Sequence, residues 1–306
     1  MGAMNTFLRS PEAGYVLAAV TLLIWASFVV VSRVGGQTPL TIFDIAALRI
    51  GTAALVLSPW WVPRLVRAST RRLTWTQSLL FAGLAGIGYP LLAYAGVKFA
   101  PASHGAVLIS GVLPMFTALL ALMLMGERPS PTRIAGLVLI TAGVATLFGS
   151  QLTGAVVDAR VVTGDLILLA ASFTWGLFTV LLKRWAVRAF DVTLGVVAVS
   201  AMLYLPVYLV LLPKNIAAAT MPQIALQAVF QGVVVVCVAL WTYTKAAELI
   251  GPVRLVIMLA GVPVVGVLLS VGLLGETLGI GAALGATLVF LGALLGAMAR
   301  PPSPPK

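Results

Sequence analysis

The sequence predicts an all-α integral membrane protein with ten transmembrane helices, arranged as two inverted five-helix repeats. Three observations carry that expectation. Of the 306 residues, 61% are hydrophobic and 9% charged, with a mean hydropathy of +1.11. Soluble domains hold about 45–50% apolar and about 25% charged residues, so most of this chain needs lipid as its solvent. The apolar residues also gather into ten runs long enough to span a bilayer. Finally, a proline and a Gly-Glu pair recur at one spacing in two of those runs, 149 positions apart.

A spanning helix takes about 20 mostly apolar residues. The runs fall near 14–33, 41–62, 75–97, 104–125, 132–149, 163–182, 192–212, 223–244, 254–274 and 279–298. They are continuous rather than alternating, which predicts helices and not a barrel. Polar or breaking stretches such as GGQTP, PRLVRASTRR, FAPAS, GERPSP and KNIAAATMPQ separate them, and the tail RPPSPPK reads as a short disordered end. The first three residues read as a cloning scar before Met4, in preference to the N-myristoylation pattern that Gly2 and Thr6 formally fit. No cleavable signal peptide is expected. The single cysteine, Cys237, lies in VVVVCVALW and reads as a buried small hydrophobe; with no CxxC or Cys/His cluster, neither a metal nor a cofactor is expected.

The net charge of +11 would suggest nucleic acid in a soluble protein. Here the cations sit in short clusters between apolar runs, so the expected partners are a lipid bilayer and a small-molecule substrate, with no nucleic acid. With the N-terminus inside, the inner segments hold Arg9, Arg64, Arg67, Arg71, Arg72, Arg128, Arg133, Lys183, Arg184, Arg188, Lys245, Arg254, Arg300 and Lys306. The outer segments hold only Arg33, Lys98, Arg160 and Lys214. Fourteen against four predicts a multi-pass protein of the cell (inner) membrane with both termini cytoplasmic.

The recurring pattern reads GVLPMFTALLALMLMGE at 111–127 and GVPVVGVLLSVGLLGE at 261–276. It pairs Pro114 with Pro263 and Glu127 with Glu276. The same offset pairs Tyr94 with Tyr243, Gly136 with Gly285 and Gly143 with Gly292. LLIWASFVVVSR (22–33) likewise resembles FTWGLFTVLLKR (173–184), with Trp25 and Trp175 each eight residues before a basic residue. The halves are therefore expected at 1–150 and 160–306. Five spans per half is an odd number, so the second half crosses the membrane in the opposite sense. Inverted repeats of this kind recur in secondary transporters, which bind substrate near the midplane between the halves. Pro114 and Pro263 are expected to mark bends there. Glu127 and Glu276 end their helices on opposite faces and read as caps or gate contacts rather than coupling acids.

The patterns LIWASFVVVSR, ALRIGTAAL and the paired proline–GE segments, followed by RIAGLVLITAGVATL and GAALGATLVFLGALL, resemble the EamA family of the drug/metabolite transporter superfamily over essentially the whole chain. Within it, the bacterial exporters of aromatic and hydrophobic amino acids are the most similar group. The resemblance implies a ten-helix fold of two inverted units and export of small metabolites.

A transport pocket needs a few polar or aromatic groups within apolar helices. Arg49 in the second span is one, either binding a substrate carboxylate or pairing structurally with Asp44 or another group; the resemblance implies a structural arginine. Trp25, Tyr89, Tyr94, Trp175, Trp241 and Tyr243 lie inside spans and suggest a wall for aromatic or apolar side chains, though each alone fits ordinary packing. Trp60, Trp61 and Trp75 fall at span ends and read as interface anchors. Ser27, Ser110, Thr174, Gln231 and Thr242 offer hydrogen bonds, Gln231 most pointedly because a buried amide needs a partner. His104 reads as a solvated loop histidine, with a pH switch as the other reading.

No acid lies deep in a span by position, which predicts facilitated diffusion or exchange without obligatory proton or sodium coupling. No GxSxG, HExxH or Walker A motif points to an enzyme. A sugar-phosphate or nucleotide-sugar exchanger is the other carrier class, and a channel or a non-transporting membrane scaffold the other kind of protein. The chain is expected to be a monomer.

Overall fold

The computed structural model describes residues 10–66, 73–152 and 158–299. Arg9, Arg67, Arg71, Arg72, Arg300 and Lys306, which enter the charge count, lie outside them, as do the first residues and the tail. The described residues form helices long and apolar enough to cross a membrane ten times: α1 Pro11–Gly36, α2 Ile42–Arg64, α3 Trp75–Phe99, α4 Ala102–Met125, α5 Pro131–Gly149, α6 Ala159–Arg184, α7 Phe190–Val210, α8 Met221–Ile250, α9 Arg254–Leu274 and α10 Ile280–Met298. The face where α1 begins is called the near face, and the face where it ends the far face.

Several spans are interrupted, and the interruptions match between repeats. In α3 a π-helical segment covers Ala82–Gly88, and in α8 another covers Ala228–Val238. Such segments misalign the backbone ladder and recur at functional sites. α4 runs through a third π segment, Ala106–Gly111, before restarting as a regular helix at Leu113. α9 breaks after Leu259 and restarts at Val262. Pro114 and Pro263 each occupy the second position of the restarted helix, where a missing N–H costs little. Both restarted helices end on a left-handed glycine, Gly126 at φ 70° and Gly275 at φ 66°, which places Glu127 and Glu276 in equivalent positions.

Lipid gives helices no hydrophobic reason to associate, so close backbone approach has to hold them. α5 and α10 pack along glycines: a Cβ on Gly136 would lie 2.6 Å from the Gly292 carbonyl oxygen, and one on Gly143 would lie 2.6 Å from that of Gly285. These are the residues the repeat offset pairs, now in crossed contact.

The remaining helices fall into two groups, each drawing on both halves of the sequence. α1 packs on α8 and α9, and α2 on α8; correspondingly α6 packs on α3 and α4, and α7 on α3. The groups meet unequally at the two faces. Towards the far face α1 touches α3, and α4 touches α9; α6 and α8, the counterparts of α1 and α3, make no comparable contact. The apolar core has the same asymmetry. One large cluster, with Ile45, Tyr94, Val97, Leu108 and Leu168, unites both groups. Towards the near face the groups stay joined between α2 and α7, through Ala53, Leu57, Leu194 and Val197 and the Arg64–Asp191 ion pair at 3.7 Å, whereas the cores around α1–α8 and α3–α6 are separate. One contains Leu17, Ala246, Ile250 and Leu255 and the other Phe81, Phe178, Leu181 and Val192. The bundle is closed at the far face, and at the near one α1 and α8 are parted from α3 and α6 while α2 and α7 stay joined.

Candidate functional site

Arg49 sits two turns into α2, about 10 Å along the helix from its far end at 1.5 Å per residue. It is 8% exposed. Gly232 lets α8 come against it, since a Cβ there would lie 3.0 Å from the Arg49 carbonyl oxygen and 2.7 Å from Thr52. That approach puts Gln231, fully buried in the π segment, within reach of the guanidinium. Arg49 Nη1 donates to Gln231 Oε1 at 3.4 Å, and the Tyr94 hydroxyl donates to the same oxygen at 3.3 Å. Gln231 Nε2 in turn donates to Ser32 Oγ at 3.2 Å and to Gln227 Oε1 at 3.5 Å. Gln227 is held by its own bond to the Val31 carbonyl at 3.0 Å. The buried amide thus has the partners its chemistry requires.

Arg49 makes no ion pair among the described residues. Asp44 is not its partner, because that carboxylate is committed elsewhere. Oδ1 accepts from Tyr208 at 2.6 Å, and Oδ2 accepts from the Thr41 amide, the Thr41 hydroxyl and the Asn215 amide at 2.8 to 3.0 Å. A guanidinium has five donors, and among the described residues this one meets neutral groups, the Gln231 oxygen at 3.4 Å and the Tyr94 hydroxyl, rather than a carboxylate.

From Arg49 a row of rings leads towards the near face. The guanidinium lies 5.9 Å from the Phe28 ring. Phe28 meets Tyr94 at 6.1 Å and stacks on Tyr89 at 5.9 Å; Tyr89 meets Trp175 at 4.7 Å, and Trp175 meets Phe178 at 5.0 Å. Separately, Trp25 of α1 stacks on Tyr243 of α8 at 5.6 Å. Offset and tilted rings at these separations are the favoured arrangements for aromatic pairs. A buried cation beside an aromatic wall suits a small molecule with an anionic end and an apolar or aromatic body.

The structure therefore brings Arg49, Gln231, Tyr94, Tyr89 and Trp175 together, with Trp25 and Tyr243 as a second stacked pair. It does not bring in Trp241, which is 52% exposed on the outside of the bundle, because it lies one helical step round α8 from the inward-facing Thr242. Ser110 is half-buried in the α4 π segment and makes no hydrogen bond to the cluster. Thr242 is spent on Thr21 at 2.8 Å, and Thr174 bonds back to the Ala170 carbonyl at 2.8 Å. Phe28, Ser32 and Gln227 belong to the site and were passed over; phenylalanine in an apolar run carries no signal, but Gln227 lies one helical turn before Gln231 on the same face.

Two expectations are corrected. His104 is not a solvated loop residue: it is 9% exposed, and its Nδ1 lies 3.0 Å from Asp165 Oδ1. The short start of α4 at Ala102 turns the ring inward onto α6. Acids near helix ends also proved fully buried, Asp44 and Asp165 both at 0% exposure, because the closed far face covers those ends. Among the terminal tryptophans, Trp60 and Trp75 are exposed, whereas Trp61 is half-buried and donates to the Ala54 carbonyl at 2.8 Å.

The profile of the EamA-like transporter family matches twice, at residues 12–149 and 162–298. An aromatic amino acid exporter, YddG of Ancylobacter novellus, is 25% identical over 63% of this chain and 66% of its own length. Uncharacterized transporters of Archaeoglobus fulgidus and of Bacillus subtilis (YyaM) are 30% and 27% identical, over 55% and 71% of this chain and 56% and 72% of theirs. The matches thus span just under two thirds of the first relative and little over half of the second. A solved crystal structure superposes with a TM-score of 0.62 at 23% identity, covering 95% of this chain and 98% of that one, which is a likeness of fold.

Proposed function

This chain belongs to the EamA-like transporter family, and from that premise we propose that it carries aromatic and other hydrophobic amino acids across the inner membrane by alternating access, in the direction of export. Membership makes it a multi-pass membrane transporter of small metabolites; the substrate class, direction and mechanism are our reading. The observation that carries the reading is Arg49, a buried guanidinium with no carboxylate of its own, at the head of the row Phe28, Tyr89 and Trp175. Arg49 takes the substrate carboxylate through a charge-assisted pair, strong where water is excluded. Tyr94 and Gln231 orient the guanidinium, and the rings receive the side chain.

The amino-acid relative supports this reading over a sugar-phosphate or nucleotide-sugar exchanger, as does the cation count. Arg49 is the buried Lys or Arg among the described residues, and Lys245 is held by Glu248 at 2.9 Å. The positive-inside count orients both termini to the cytoplasm, which makes the parted near face the inner one. Transport proceeds without obligatory proton coupling: Asp44 is held by Tyr208, Thr41 and Asn215 and Asp165 is paired with His104, neither beside Arg49. Counter-flow of labelled phenylalanine, tyrosine, threonine and methionine in proteoliposomes tests the substrate class. Saturable exchange of the aromatic members is expected with no pH gradient imposed; absence of flux for all four would overturn the substrate class, and flux only under a pH gradient would overturn uncoupled transport.

A further inference from the structure

The two charged residues that end α1 and α9, Arg33 and Glu276, hold the far face shut by gripping one corner of the chain. Arg33 Nη1 donates to the Val97 carbonyl, and to that of Lys98 at 3.0 Å, both in the last turn of α3. Glu276 accepts from the amides of Ala102 and Ser103, the first two of α4, at 2.7 and 3.0 Å. The cation meets the negative end of one helix and the anion the positive end of the next, each where the backbone has unpaired groups.

The counterparts behave differently. Glu276 matches Glu127 by the repeat offset, and Arg33 matches Lys183 in the aligned stretches that contain Trp25 and Trp175. At the parted near face these two grip no corner. They pair with each other instead, Lys183 Nζ lying 2.7 Å from both carboxylate oxygens of Glu127. The corner they would match runs from the end of α8 at Ile250 to Pro252, which begins the helical turn leading into α9, in the opposite helix group.

We propose that the transporter closes each face by exchanging charge partners. When a face is open, its cation and anion pair within their own helix group; when it closes, the pair separates and clasps the helix corner of the other group. In the reverse state Glu127 and Lys183 clasp the α8–α9 corner, while Arg33 and Glu276 pair with each other. This deepens the alternating-access reading and rests on it. An exposed ion pair is worth little, whereas hydrogen bonds from a charge to helix-end groups are worth more, so the exchange favours closure at either face. The near clasp is the weaker, because Pro252, first in the helical turn leading into α9, has no amide N–H to give. The far-closed form is accordingly the resting one.

The test reads far-face opening directly. In a Cys237→Ala background, Ser103→Cys supplies a thiol at a position 4% exposed in the α4–α9 seam, and its alkylation by a maleimide is timed in detergent. Glu276→Gln and Arg33→Gln are expected to speed alkylation about tenfold, the worth of a charge-assisted hydrogen bond. Glu127→Gln and Lys183→Gln are expected to slow it, since they weaken the far-open state. Opposite signs for the two glutamates support the exchange; equal signs, or no change in any of the four, overturn it. Should Glu276→Gln fail to fold, Glu276→Asp, too short to reach both amides, and Arg33→Gln give the same reading. The assay uses no substrate. Opposite shifts without amino-acid flux would leave the exchange standing and sink the substrate class, whereas normal flux with equal shifts would sink the exchange alone.

Discussion

Replacing Arg49 with methionine separates a substrate-binding arginine from a structural one. Methionine keeps the unbranched stem and its packing while removing the charge. Within the protein little is lost: the guanidinium meets neutral groups, with a 3.4 Å bond to Gln231 Oε1, and that oxygen keeps the Tyr94 hydroxyl as a donor. A lone cation within a span is itself unfavourable by about 2.5 kcal/mol or more on insertion scales. The folded protein should therefore be as stable as before or more so, with an unchanged or raised melting temperature in detergent. Substrate binding should suffer heavily, since a hydrogen bond to a charged group is worth about 1.5–3 kcal/mol, or roughly tenfold to more than a hundredfold in apparent KM. Counter-flow of phenylalanine should show that loss, while competition by phenylethylamine, which lacks the carboxylate, should not change. A sharp fall in melting temperature with an unaltered phenylalanine KM would refute the reasoning and return Arg49 to a structural role.

Trp175→Ala should weaken transport of phenylalanine and tyrosine by about tenfold relative to threonine, the worth of a lost aromatic pair with its buried area, and Trp241→Ala should leave both unchanged; counter-flow with each variant checks this. Gly143→Leu should abolish a stable fold, because even a Cβ would lie 2.6 Å from the Gly285 carbonyl oxygen; monodispersity after extraction reads the outcome, with Gly149→Leu, where nothing lies within 4 Å, as the tolerant control. Asp165→Asn should cost about 3–5 kcal/mol of stability by breaking a buried pair, seen as a lowered melting temperature that His104→Gln reproduces in part.

The spans were legible because lipid imposes a composition and a length that no packing detail can disguise. The inversion followed from odd parity and from Pro114, Glu127 and their counterparts. Depth along a helix was legible too, and it located Arg49 and Gln231. What the sequence withheld was the direction each side chain faces. Trp241 and Tyr243 are two residues apart in α8, yet one faces outward and the other stacks on Trp25. The π segments shift the helical phase by a residue, so that counting round an ideal helix misassigns faces beyond Gly88 and Val238. His104 was misread for a different reason: a loop-like stretch between spans looks wet in sequence, and only the closure of the far face decides that it is dry.

The interleaving of the helix groups bears on ancestry and on engineering. Each group completes itself with helices from the opposite half, α1 and α2 with α8 and α9, and α6 and α7 with α3 and α4. A single five-helix segment expressed alone therefore lacks half the neighbours of every core helix. It could complete its surfaces only against a second copy inserted upside down, so a gene for one half would need a topology balanced enough to insert both ways. Fusion into one chain removes that requirement, and it also frees the two copies to diverge, as Arg33 and Lys183 have done.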